Sequence, residues 1–410
     1  QNDSNAERLV LSWPIVGTSS PGINMVGMTW TDALKSVVNY VHVRGYETDW
    51  CRQNEATSAE KVVMALRQVG KVRCEGTNAI CKPRECDWKV GCALEEGSAA
   101  ILDVRVEECV AKWSVDGGTG CSAASVAFLD QLGDTICVAV GGDVKVFDLR
   151  KVHEPVQTHA LSTEELNQVI VQSRGKFLAA ADDLGHVHVV DLESQKKFKT
   201  MRGGHENMCS AVAFRPRRPW EVLSGGMDCR LVRWDFSRGT PKGAWQMGCE
   251  DGKSEKVFNP PMVHSVAVPD TEDAELSRMV AVARGDGVVG IYDLESEKLA
   301  KRSKSRSRTR SMDTPSKDAS CRMLLGQELG GHRSAVAHVT FGQFLGTCLL
   351  ASGGNDRRIV LWDLSKSENE VKVLEHNNRR KINWLCPGGS SGSCLYVCDV
   401  GDDVRIYNIE

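Results

Sequence analysis

With 410 residues, 41% of them hydrophobic and 26% charged, and with 38 glycines against 12 prolines, the chain is too apolar and too rich in turns to be disordered. Its length suits one large repeat domain with an extension, or about two to three ordinary domains. A net charge of −3 gives no global basic field, which argues against binding nucleic acid or membrane phosphate through overall charge.

The first 95 or so residues match no family signature. "TSAEKVVMALRQVG" carries a capping box from Thr57 to Glu60, with Val62, Val63, Leu66 and Val69 at helical spacing, and predicts an amphipathic helix. "TDALKSVVNYV" reads as another. The opening "QNDSNAERLVLSWPIVG" lacks the basic start and long apolar core of a secretion signal, and no run approaches the roughly 18 apolar residues of a spanning helix. Nucleus or cytoplasm is therefore the expected location, with no membrane partner. Sixteen cysteines are spread through the chain, often in apolar runs, as buried thiols in a reducing compartment would be. Cys74, Cys81, Cys86 and Cys92 form the densest cluster but contain no C-x-x-C pair, so a zinc knuckle is not favoured and neither a metal nor a cofactor is expected.

Further on, short strand-like segments end in an aromatic or apolar residue followed by Asp: "VKVFDLR", "VHVVDLE", "LVRWDFS", "VGIYDLE" and "IVLWDLS", with "VRIYNIE" closing the chain. Their marker positions, 147, 190, 234, 292, 362 and 407, are 43, 44, 58, 70 and 45 residues apart. Steps of about 40 to 45 residues are the length of one four-stranded propeller blade, and the two long steps hold insertions. Trp113 in "CVAKWSVDGG" supplies a seventh marker. The alternating, β-branched segments suit strands, and "GGMDC" and "GGNDR" suit the tight turns before them.

Two units agree at greater length: His205, Ser224, Asp228 and Trp234 are matched by His332, Ser352, Asp356 and Trp362 at nearly equal spacing. Here the sequence resembles the WD-repeat family of β-propellers. The resemblance implies that each set is a hydrogen-bonded brace within a blade, Asp to His to Ser to Trp. The expected fold is an all-β, seven-bladed WD-repeat propeller over residues 96–410, with a basic insertion at 296–320. Residues 1–95 form an extension of partly helical character. Because the chain ends on a third strand, the outermost strand of the last blade has to come from the N-terminal side, with "ERLVLSW" and the region near Trp88 as candidates.

Ser, His and Asp together also invite a hydrolase reading, but no G-x-S-x-G surrounds Ser224 or Ser352 and the set occurs twice. "GDGVVG" at 285–290 spells a dinucleotide fingerprint, yet runs into a strand signal where a helix is required, and "GTGCSA" at 118–123 is weak for the same reason. No catalytic residue is assigned. Lys301, Arg302, Lys304, Arg306, Arg308 and Arg310 lie in a serine-rich stretch, read either as a solvated loop or as a contact for nuclear import or RNA.

"FDLR" places Phe147, Asp148 and Arg150 at the end of a third strand. It resembles the W-D-x-R box by which WD-repeat substrate receptors of cullin-4-type RING ubiquitin ligases dock the adaptor propeller, with Phe in place of Trp. From about residue 120 onward the chain is also similar to the WD repeat-containing protein 53 group, regarded as receptors of this class. The resemblance implies a non-catalytic interaction scaffold, monomeric within a complex, whose partners are the ligase adaptor and a protein substrate. A WD-repeat scaffold of another complex, nuclear or RNA-linked, is the alternative.

Overall fold

In a computed structural model, the described residues are 64–410 apart from 116, 131, 249–258, 296–320, 369 and 389–393. Among these residues twenty-eight strands form seven four-stranded antiparallel sheets, the seven blades of a propeller. Two single-turn 3-10 helices, Leu276–Arg278 and Gln327–Leu329, are the helical elements among the described residues.

Blade 1 spans 77–114, blade 2 123–160, blade 3 166–201, blade 4 209–246, blade 5 263–325 and blade 6 336–377. Within each, four strands run in sequence order from the centre outward. Blade 7 takes three strands from 382–409 and its fourth from the other end of the chain, where Leu66–Arg73 pairs antiparallel with Asp403–Ile409. This strand closes the ring. The second and third strands are apolar on both faces: Phe177–Asp182 and Glu221–Gly226 are buried throughout. Each blade is therefore sandwiched, and seven apolar clusters result, one at each blade-to-blade interface. Each fully buried Val, Leu or Ile in them stabilises the fold by about 1.5–3 kcal/mol.

Three expectations are corrected. Among the described residues, propeller strands begin at Leu66, not at 96, because the ring-closing strand and half of blade 1 lie upstream of that boundary. The closing strand itself, "LRQVGKVR", is part of the segment expected to be helical; strand pairing overrides the helical spacing, with Leu66 buried and Val69 exposed across a bulge at Gln68/Gly70. Trp88 instead precedes the second strand of blade 1, while "ERLVLSW", "TDALKSVVNYV" and the capping box lie outside the described residues. Trp113, third, sits on a fourth strand, Glu108–Ser114; the residue equivalent to Phe147 is Leu102, which pairs with Val90 as Phe147 pairs with Ile136.

Candidate functional site

The connections of a blade fall at two ends. In an antiparallel sheet the turns joining strands 1–2 and 3–4 share one end, and the turn joining strands 2–3 shares the other with the loop that enters the blade.

At the second end, blades 4 and 6 carry the same brace. Asp228 sits in the tight turn and accepts the Arg230 amide at 3.2 Å, while Cys229 takes the left-handed conformation, φ 61°. Its carboxylate meets His205 Nδ1 at 3.1 Å, His205 Nε2 lies 2.7 Å from the Ser224 hydroxyl, and Trp234 Nε1 donates to that hydroxyl at 2.8 Å. A carboxylate on Nδ1 fixes the proton there. Nε2 then accepts from the serine, whose oxygen is left to accept the indole proton. In blade 6 the distances are 2.9 Å from His332 to Asp356, 2.9 Å from His332 to Ser352 and 2.8 Å from Trp362 to Ser352. Burial pushes both aspartates up, but the histidine contact and two backbone amide hydrogen bonds together outweigh it and hold them below the usual carboxylate range. Both serines and both tryptophans are fully buried. A hydroxyl enclosed in this way, with both its bonds committed, does not present a nucleophile to a substrate.

Other blades fill the same corner differently. In the registers that place Ser224 opposite Val232, blade 3 sets Ala180 opposite His188 and blade 7 sets Val397 opposite Arg405. Two residues after the serine position stand Gly226 in blade 4, Asp182 in blade 3, Arg284 in blade 5 and Asp399 in blade 7. Asp399 binds Arg405 Nε at 3.0 Å and Asn378 Nδ2 at 2.8 Å, and Asn378 Oδ1 accepts the Tyr407 hydroxyl at 2.9 Å. Arg284 pairs with Asp286, so "GDGVVG" is a hairpin turn leading into the strand Val289–Asp293. "GTGCSA" likewise leads into a strand, Ala123–Phe128. None of these replacement corners was legible by matching units, because each uses different residues.

At the first end lies the D-x-R box of blade 2. Phe147 is buried and packs edge-on against Trp113, ring centroids 5.7 Å apart. With Val138 at the position of Ser224, a tryptophan here would bury an N–H without that acceptor, so phenylalanine is the consistent residue. Asp148 accepts Arg150 Nε at 2.9 Å and Nη2 at 2.8 Å, a two-pronged bond that holds the guanidinium while leaving it 76% exposed. The Arg150 hydrogen bonds hold the Asp148 pKa down to about 2. Blade 1 repeats this corner. Asp103 binds Arg105 Nε at 3.0 Å and Nη2 at 2.6 Å, and Arg105 lies 4.0 Å over the Trp88 ring. The "LDVR" of blade 1 carries no aromatic marker, because Leu102 stands in that position. On the same end a cavity of about 710 Å³ opens between the strand 1–2 turns of blades 1 to 3, lined in part by Lys82, Arg84, Leu132 and Arg174.

Lys301, Arg302, Lys304, Arg306, Arg308 and Arg310 lie outside the described residues. Among the cysteines of the dense cluster, Cys74, Cys86 and Cys92 are buried and Cys81 is half-buried. No helix among the described residues is long and apolar enough to cross a membrane.

Comparison with known proteins agrees with the geometry. The profile of the family "WD domain, G-beta repeat" matches residues 195–235 and 324–363. Each match begins on the fourth strand of one blade and ends on the third strand of the next, so it encloses one complete brace. The chain is similar to the WD repeat-containing protein 53 homolog of Dictyostelium discoideum, 25% identical over 334 residues that make up 72% of this chain and 82% of that protein. Such propellers are generally non-catalytic platforms for binding other proteins, and this chain is a seven-bladed β-propeller carrying WD40 repeats.

Proposed function

We propose that the chain is a non-catalytic substrate receptor of a cullin-4-type RING ubiquitin ligase, acting in the nucleus or cytoplasm. The end of the propeller bearing Arg105 and Arg150 would dock the adaptor, leaving the opposite end for substrate. The observation that carries this reading is the duplicated D-x-R corner: two neighbouring blades each display an exposed guanidinium clamped at both prongs by its own aspartate. Prior clamping lowers the side-chain entropy lost on docking, and the planar fork suits carboxylate and carbonyl acceptors of a partner. The enclosed serines of the two braces support a role in binding rather than turnover.

Affinity purification of the full chain beside Arg150→Ala, Arg105→Ala and the double variant tests the proposal. The adaptor should be recovered with the unsubstituted chain, reduced with either single variant and lost with the double. Absence of the adaptor from the unsubstituted chain, or undiminished recovery by the double variant, overturns it.

A further inference from the structure

Asp182, at the turn corner of blade 3, is a fully buried carboxylate. Its counterpart in blade 7, Asp399, faces a permanent cation, because Arg405 stands where blade 3 has His188. A buried carboxylate requires compensating charge as well as hydrogen bonds. Asp182 is met instead by two imidazoles: His188 Nε2 at 2.9 Å and His186 Nδ1 at 3.5 Å, both on the same oxygen, Oδ2. Among the described residues these three are the one group of His, Cys, Asp or Glu whose ligand atoms all converge within 4.8 Å.

We propose that Asp182, His186 and His188 bind a divalent transition metal of the zinc class. Ligands at about 2.0–2.1 Å from zinc stand roughly 3.3 Å apart in a tetrahedron, so His186 and Asp182 are already at that spacing, and His188 needs to recede by about 0.4 Å. The supporting contacts are also in place. Thr200 Oγ1 lies 3.0 Å from His188 Nδ1 and can take its proton, which frees Nε2 as a lone pair. Asp182 Oδ1 is held by the His186 backbone amide at 2.7 Å and Oδ2 by the Ser162 hydroxyl at 2.7 Å. His186 and His188 also line a cavity of about 320 Å³, with Leu161, Ser162, Leu184 and Arg202 among its other walls, from which water can complete the shell. Metal bound here lies at the end of the propeller opposite the D-x-R corners and would brace the strand 2–3 hairpin of blade 3, whose Asp182 also accepts the Ser162 hydroxyl of the loop entering that blade.

Cobalt(II) is the probe, titrated into the full chain after chelator treatment under reducing conditions, with zinc(II) as competitor. One equivalent should give the visible d–d absorption of a tetrahedral centre without the near-ultraviolet charge-transfer band of a thiolate ligand, and zinc should bleach it. His186→Ala keeps the Asp182–His188 contact and the backbone amide, so the circular dichroism should be unchanged while cobalt affinity falls at least 100-fold; Thr200→Val should cost about 10- to 100-fold. Absence of saturable cobalt binding overturns the proposal, as does a thiolate band that persists in His186→Ala, which would place the metal on cysteines.

Discussion

Replacing Ser224 by alanine tests whether the brace of blade 4 contributes stability through its network or only through burial. The change removes one oxygen but strands two buried partners, Trp234 Nε1 at 2.8 Å and His205 Nε2 at 2.7 Å. Each buried group left without a partner costs about 1–3 kcal/mol, so a loss of roughly 2–6 kcal/mol is expected. For a propeller of this size, with an unfolding entropy of about 2 cal/mol/K per residue, that is a fall in Tm of about 3–9 °C. Ser125→Ala is the control. Ser125 is equally buried in a strand, but its hydroxyl makes a single long contact, 3.4 Å to the Val169 carbonyl, so its loss should stay below about 1 kcal/mol. Urea unfolding of both variants, followed by tryptophan fluorescence and far-ultraviolet circular dichroism, gives the two costs. Equal losses would refute the argument, since burial and residue type would then suffice without the network.

Arg215→Met breaks a buried cluster in which Arg215 lies 2.7 Å from Glu221 and 3.0 Å from Glu295; it should cost about 3 kcal/mol near neutral pH, at the low end for a buried pair because Lys242, Arg233 and Arg218 remain nearby. Burial pushes the Glu221 carboxyl up, but the Arg215 bond and the neighbouring cations hold it below its usual range, so its contribution is present above the unfolded value near 4.3 and is lost as pH falls through the folded one. The gap between parent and variant, read by denaturation at pH 7 and pH 4, should therefore narrow in acid; a constant gap would contradict the assignment. Among the described cysteines, Cys109 is exposed, whereas Cys137 is enclosed and its thiol is pushed up to about 12 by burial. Iodoacetamide on the native protein, read by peptide mass spectrometry, should label Cys109 well before Cys137, and equal rates would count against the packing of blade 2 on blade 3, which encloses Cys137.

Repetition decided what could be read from the sequence. The third strands of blades 2 to 6 each end on a marker residue plus Asp, and the two complete braces matched each other residue for residue, so the blade count and the role of Trp234 and Trp362 followed from comparing units. Blade 1 lacks an aromatic at Leu102, and Trp113, on the neighbouring fourth strand, took its place in the count. Without that aromatic, nothing in the sequence marks Arg105 as the counterpart of Arg150. Leu66–Arg73 was obscured by a different cause: its partner lies more than three hundred residues away, and local spacing says nothing about a strand whose apolar side is set by that pairing. The Asp182 and Asp399 corners form through contacts across a turn and an incoming loop, and neither repeats elsewhere among the described residues.

Closure of the ring by its two ends also sets an order of events during synthesis. Leu66–Arg73 leaves the ribosome more than three hundred residues ahead of its partner, Asp403–Ile409. At about 5–20 residues per second the waiting time is on the order of 20 to 70 s. Throughout that interval the early strand has no native sheet to join, and its unpaired amides and carbonyls are open to any other edge within reach. Its sequence is suited to the delay: in "LRQVGKVR" three cationic side chains share eight residues with a glycine, a composition that discourages pairing with a second nascent copy.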